Sequence, residues 1–181
     1  MERTNSRLRE TANYGTIHVV KASFTTRPAL LKDAEKIFAL IHRHRDELII
    51  RPLSGIVENI DRFIVAEEGG RMVGCAAYAI LPEFGTPLHA TVEIQSVAVL
   101  STMRRKGIGK ALVEAILGRV ESFRPAEALV LTFAPEFFTA LGFVEIPKTQ
   151  IMHKLYTGCI NCTKHADPYT CPEIAMRKTL A

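Results

Sequence analysis

The stretch from Val97 to Leu112 constrains this chain more than any other. A β-branched apolar run breaks there into Met103-Arg104-Arg105-Lys106-Gly107-Ile108-Gly109. It resumes as Lys110-Ala111-Leu112-Val113-Glu114-Ala115-Ile116-Leu117, which reads as an amphipathic helix. A strand, a glycine turn and a helix start together form a physical device. The first N–H groups of a helix have no intrahelical partner, and the helix dipole puts partial positive charge there. Glycine lets the backbone approach a ligand with no Cβ in the way. Such a turn suits a phosphate or pyrophosphate. Arg104, Arg105, Lys106 and Lys110 surround it with formal charge.

Named residues narrow the ligand. A Walker loop requires Ser or Thr after its lysine, but Ala111 follows Lys110. A dinucleotide fingerprint requires a third glycine, but Leu112 stands there, and the loop falls in mid-chain rather than in a first βαβ unit. A basic turn ahead of a surface helix, with no ligand, is the remaining alternative.

Around the loop the chain reads as a mixed α/β (α+β) domain. Residues 1–20 are polar without clear periodicity and read as a loose N-terminal extension. Residues 21–181 read as one domain, as the length suggests. Ala22 to Arg27 predicts a strand closed by Pro28. Leu30 to Arg45 follows with Leu31, Ala34, Ile37, Phe38 and Ile41 at helical spacing. Ser54 predicts the N-cap of a short helix reaching Ile60. Arg62 to Ala66 and Met72 to Leu81 predict a hairpin turning at Glu68-Gly69-Gly70-Arg71. The loop Pro82 to Pro87 then leads to a strand over Glu93 to Val99, and the helix after the glycine loop runs to about Phe123. Leu129 to Thr132 predicts a strand. Pro135 to Leu141 predicts a short helix, with proline at its start and Gly142 past its end. Phe143 to Ile146 and Glu173 to Thr179 predict the last strands, separated by a cysteine-bearing insertion over 148–172. The sum is a mixed central sheet of about six to seven strands with helices on both faces.

Composition excludes some partners. The net charge of +4 is too mild to argue for nucleic acid, and no run interleaves Lys or Arg with aromatics. No apolar stretch approaches the roughly 20 residues of a membrane span. No charged-then-apolar leader is read at the N-terminus, so a cytoplasmic, reducing compartment is expected for the four cysteines. Cys75 reads as a buried strand residue. Cys159-x-x-Cys162 and Cys171 leave three readings open: thiols packed as small hydrophobes, a zinc site completed by His165 or His153, or a redox pair.

Arg104-x-x-Gly107-x-Gly109, followed by Ala111-Leu112, resembles the acyl-CoA loop of the GNAT N-acetyltransferase superfamily. The element order resembles that fold as well. The resemblance implies acetyl-CoA as co-substrate. Its pyrophosphate would be held over Arg104, Arg105, Lys106, Gly107, Ile108, Gly109 and Lys110, and its pantetheine arm along Val97, Ala98 and Val99. Ser101 departs from a frequent proline, and Arg105 from a frequent glycine, so the backbone at Arg105 is expected to be less free. A narrower resemblance covers nearly the whole chain. Ile49-Ile50-Arg51-Pro52-Leu53-Ser54, Glu93-Ile94-Gln95-Ser96-Val97-Ala98-Val99, Pro135-Glu136-Phe137-Phe138 and Cys159-Ile160-Asn161-Cys162 before Glu173-Ile174-Ala175-Met176 are similar to stand-alone bacterial N-acetylglutamate synthases.

That resemblance implies transfer of an acetyl group to the α-amine of L-glutamate, the first step of arginine biosynthesis. Another amino acid or small amine as acceptor, or a non-catalytic acyl-CoA-binding module, are the alternatives. An α-amine needs a base to become nucleophilic near neutral pH. Glu93 is the candidate, because Thr91, Glu93 and Gln95 share one face of the strand that runs into the loop. A backbone N–H near Val97 or Ala98 would polarise the thioester carbonyl. Phe138 stands where many family members have a tyrosine that protonates the leaving thiolate, and it reads as packing; Tyr156 is an alternative donor. For a dicarboxylic acceptor, Arg51 is the first candidate cation, with Gln95 and Lys154 as further contacts. Arg27 reads as structural. Direct attack in a ternary complex is expected, with no cysteine predicted near the thioester and no metal required. A small-molecule amino acid, no nucleic acid and no membrane are the expected partners, and the chain is compatible with a homodimer.

Overall fold

The structure, a computed structural model, describes residues 23–81, 90–162 and 164–180. The predicted N-terminal extension and the predicted loop Pro82 to Pro87 lie outside the described residues. Seven strands form one sheet: β1 (Thr25–Pro28), β2 (Phe63–Glu68), β3 (Arg71–Leu81), β4 (Thr91–Val99), β5 (Glu127–Thr132), β6 (Val144–Glu145) and β7 (Ile174–Thr179). Their spatial order is β1-β2-β3-β4-β5-β7-β6. The β4–β5 pair is parallel and every other pair is antiparallel. The β2–β3 hairpin turns at Gly69 and Gly70, with φ of +55° and +76°. Two consecutive positive φ values are what a tight hairpin turn demands, and glycine adopts them freely.

Helices cover both faces, as expected. On one face lie α1 (Ala34–Arg43) and α2 (Leu53–Glu58). They bury Ile37, Leu40, Ile41 and Ile56 against Val65, Cys75, Ala77 and Ala98. On the other face α3 (Ile108–Val120) sets Ile108, Leu112, Val113 and Ile116 against Ile64, Val73, Ala76 and Ile94. Alternation along each strand sends neighbouring residues to opposite cores. Gly74 of β3 is what lets α3 lie so close. A Cβ there would sit 3.0 Å from Leu112 Cδ1 and 3.1 Å from both Ala98 O and Ile108 Cγ2.

Two local expectations are corrected. Ser54 does not cap α2; the extended Pro52 precedes it and the helix begins at Leu53. Proline's fixed φ and missing N–H suit the residue that enters a helix. The segment 148–172 is not merely an insertion. It holds a 3-10 turn over Lys148–Ile151, then α5 (Met152–Thr157) and a further 3-10 turn over Cys159–Asn161. Ile151 and Leu155 pack on Leu129 and Ala175 in a third apolar cluster. The remaining helix, α4 (Pro135–Thr139), starts on its predicted proline and ends before Gly142 at φ +85°.

Candidate active site

Gly107 forms the N-cap of α3 at φ +80°, and its carbonyl accepts from the Ala111 N–H at 3.0 Å. Arg105 also has a left-handed backbone, φ +68°. A non-glycine residue there costs about 1–2 kcal/mol, which is the restricted freedom expected of it. A Cβ on Gly109 would meet the Phe137 ring at 3.3 Å, so the missing side chain lets α4 close on the start of α3. Arg104, Arg105, Gly107, Ile108, Gly109 and Lys110 all face one cavity. Lys106 does not: its ammonium turns to Met103 Sδ at 3.4 Å.

The strand leading into this loop is split from its neighbour. Thr91, Val92 and Glu93 pair with β5, and from Ile94 onward β4 has no β5 partner among the described residues. A β-bulge helps bend it away. Cys75 pairs with Ala98 and Ala77 with Gln95, so two residues, Ser96 and Val97, oppose Ala76 alone. Ser96 takes φ +53°. Beyond the bulge the Leu100 N–H donates to Val73 O on β3 at 2.9 Å. Alternation then turns the N–H groups of Val99 and Val97 to the open side. Both residues line the cavity, whereas Ala98 is buried in the core beneath α1 and does not. Of the three residues predicted to run along the pantetheine arm, Val97 and Val99 are therefore the pair that faces the cavity.

The gap between β4 and β5 is a cavity of about 700 Å³, running from the glycine loop to Glu93. At its far end a hydrogen-bonded chain joins every predicted acceptor residue. Glu93 is buried, and Lys154 of α5, equally buried, approaches its two carboxylate oxygens at 2.7 and 2.8 Å. Gln95 donates from Nε2 to the same carboxylate and accepts at Oε1 from Arg51 Nη2. Arg51 Nε donates to Ser96 Oγ at 2.9 Å. Burial lowers the pKa of the Arg51 guanidinium while Glu93 opposes that shift. The polar face of β4 is thus enclosed rather than solvated. The Lys154–Glu93 pair spans 61 residues of sequence, so strand periodicity could not reveal it.

Other segments close the cavity. The loop after α1 is held to the glycine loop by Arg104, which donates to His44 Nδ1 at 3.0 Å and pairs with Glu47 at 2.9 Å. Lys164 donates to the carbonyl of Arg45 in the same loop. Six cations (Arg51, Arg104, Arg105, Lys110, Lys148 and Lys154) and three carboxylates (Glu47, Glu93 and Glu173) line the cavity among the described residues. That surplus suits anionic ligands. Burial pushes the Glu173 carboxyl up, and the Cys171 thiol donates to it at 3.7 Å.

Three cysteines reach the cavity wall: Cys159, Cys162 and Cys171. Burial raises the thiols of Cys159 and Cys171, which makes them poor nucleophiles. No three His, Cys, Asp or Glu side chains gather as a metal site among the described residues, so the zinc reading of Cys159, Cys162 and Cys171 finds no support. Cys75 is fully buried, which pushes its thiol up to about 12. Phe138 stacks edge-on against Phe137 at 4.9 Å and Phe143 at 5.4 Å, as a packing residue. Tyr156 is exposed and does not line the cavity. Arg27 binds Asp33 at 2.7 Å and Glu67, tying β1 to β2 and the start of α1.

Comparison with known proteins places this geometry. An acetyltransferase (GNAT) domain model matches residues 59–145. An uncharacterised N-acetyltransferase of Chlorobaculum tepidum is 38% identical over 161 residues, covering 88% of this chain and 98% of that protein. An amino-acid acetyltransferase of Mycobacterium tuberculosis is 31% identical over 135 residues, covering 72% of this chain and 74% of its own. The crystal structure of Rv2747 from Mycobacterium tuberculosis, in complex with CoA and NLQ, is similar at a TM-score of 0.71 and 26% identity, over 87% of this chain and 99% of that one. With the split parallel pair, the glycine cradle and relatives of this extent, the chain belongs to the GNAT family of acetyltransferases and is an acyltransferase enzyme.

Proposed function

We propose that this enzyme transfers the acetyl group of acetyl-CoA to the α-amine of L-glutamate, by direct attack in a ternary complex. The observation that carries the reading is the enclosed chain Arg51–Gln95–Glu93–Lys154, set in the same cavity as the glycine loop. The cradle suits CoA on this chain's own features. Open space beside Gly107 leaves room for a pyrophosphate at the start of α3, with Arg104, Arg105 and Lys110 around it. The open N–H groups of Val97 and Val99 suit a pantetheine amide and the oxygen that gains charge during attack. Acetyl-CoA supplies the activated acetyl group. The chain's residues then do the rest. Arg51 holds the acceptor's α-carboxylate. Glu93 takes the proton from the α-ammonium and exposes the nitrogen lone pair, which attacks the thioester carbonyl; the C–S bond breaks and coenzyme A leaves as a thiolate that solvent protonates. Lys154 and Gln95 fix the orientation of that carboxylate. The amino-acid acetyltransferase relative supports an amino-acid acceptor. The surplus of cations favours an acidic one over a diamine. As one domain over 21–181 in the cytoplasm, the enzyme would open arginine biosynthesis.

Release of CoA thiol from acetyl-CoA, measured against glutamate, aspartate, glutamine, alanine and 2,4-diaminobutyrate, tests the reading. Turnover is expected with glutamate foremost. Thiol release dependent on a diamine alone, or on none of them, sinks it. In the same assay Glu93→Gln is expected to lower kcat by about 10²–10⁴-fold; wild-type turnover across the pH range removes Glu93 as the base.

A further inference from the structure

One cation on the cavity wall has no part in the pyrophosphate cradle or in the Glu93 chain. Lys148 opens the 3-10 turn that follows Pro147. Its Nζ donates to the carbonyl oxygen of Pro168 at 3.0 Å and to that of Cys171. No carboxylate among the described residues forms an ion pair with it. An ammonium carries three N–H donors. Two are held by carbonyls, so one donor and a full formal charge remain at the cavity. The carbonyl bonds also fix the head group of an otherwise flexible side chain. A cation held in place beforehand loses little freedom when a ligand arrives. A half-buried charge whose direct partners are carbonyl dipoles is stabilised most by an anion.

Arg51, Glu93, Lys154, Glu173 and Lys148 line one cavity. Arg51 and Lys154 are both tied to Glu93, Arg51 through Gln95 and Lys154 directly. Lys148 is bonded instead to the carbonyls of Pro168 and Cys171. An amino acid whose amine meets Glu93 and whose α-carboxylate meets Arg51 still has a side chain to seat in that cavity, where Lys148 is, among the described residues, the cation outside both the Glu93 chain and the glycine loop. Burial favours the neutral form of Glu173, which reduces its repulsion of an incoming carboxylate.

We propose that Lys148 is a specificity residue, receiving the side-chain carboxylate of the acceptor while Arg51 takes the α-carboxylate. The inference rests on the acidic-acceptor reading above and names the group that makes it acidic. It also gives the segment 148–172 a task. Through its bonds to Pro168 and Cys171, Lys148 draws that segment onto the cavity and makes it the acceptor wall.

The test compares glutamate with glutamine, which has the same shape but no side-chain charge, in the full chain and in Lys148→Met. The wild type is expected to favour glutamate. In Lys148→Met the glutamate KM should rise about tenfold or more, the size of one charge-assisted hydrogen bond. The glutamate-to-glutamine ratio of kcat/KM should fall toward one, and the acetyl-CoA KM should hold within about twofold. Lys148→Arg should restore part of the ratio. If Lys148→Met weakens both acceptors equally, the lysine only clasps the loop and the proposal is overturned. Should Lys148→Met not fold, inhibition of the wild type by glutarate and by butyrate decides. Glutarate is expected to compete with glutamate at least about tenfold better, and equal competition overturns the proposal. A wild type that acetylates no acidic amino acid overturns the acceptor reading itself, whereas a wild type that prefers glutamate with an unchanged ratio in Lys148→Met overturns Lys148 alone.

Discussion

Glycine at 158 and lysine at 154 are coupled by contact. A Cβ on Gly158 would lie 2.7 Å from Lys154 Nζ, closer than real Cβ atoms come to their neighbours. The lysine is flexible enough to yield, so Gly158→Ala should cost less than about 1 kcal/mol of stability. Yielding moves the ammonium off Glu93. The carboxylate then loses the partner that fixes its orientation. Gly158→Ala should therefore lower kcat for the acceptor by about tenfold, with the acetyl-CoA KM unchanged. Steady-state kinetics of both proteins check this, and an unchanged kcat refutes it. At this scale the sequence revealed residue types and not their bonds. Glu93, Gln95 and Arg51 could be singled out because strand alternation and an arginine in an apolar run are local signals. That Lys154 neutralises Glu93, and that Lys148 faces the same cavity, depends on contacts spanning 61 and 23 residues. No periodicity carries such information.

At the scale of elements, most of the sheet and its helices were readable, since apolar alternation, paired glycines and proline starts are each tied to a backbone geometry. The strand from Arg71 to Leu81 and the helix from Ile108 matched their patterns closely. What was missed lay in α5, a six-residue helix with no apolar stripe of its own, which exists because Leu155 and its neighbour Ile151 fill a cluster on β5 and β7. The bulge in β4 was also silent, because Ser96 carries no turn signature and the register is set by β3 opposite. Packing between elements gives a sharper prediction. Gly74→Ala puts a methyl group against Leu112, Ile108 and a backbone oxygen, and the backbone cannot step aside. Such overpacking costs roughly 1–3 kcal/mol, or about 2–12 °C in Tm for a chain of this size. Thermal unfolding followed by circular dichroism measures it. A Tm within about 1 °C of wild type would show that α3 is free to retreat.

For the whole molecule, the edge of the sheet depends on charge. Arg27 binds Asp33 and Glu67, and this holds the Asp33 carboxyl below the ordinary carboxylate range. A carboxylate with a depressed folded pKa contributes stability above its unfolded pKa, near 4, and that contribution fades as pH falls through the folded value. Arg27→Met should lower stability by about 2 kcal/mol at pH 7, because it strands a buried carboxylate. The gap between wild type and variant should narrow as the pH is taken toward 3. Urea unfolding at several pH values checks the sign, and a gap that widens on acidification refutes it. The parallel seam between β4 and β5 has a different consequence, visible in exchange with deuterated solvent. By alternation from Leu100, whose amide is bonded to Val73, the amides of Val97 and Val99 face the gap, where β5 offers them no pairing among the described residues. In the ligand-free enzyme those two amides should take up deuterium far faster than their neighbour in the same strand. Coenzyme A seated in the gap should slow both, so their exchange rates report occupancy residue by residue, with no need for turnover.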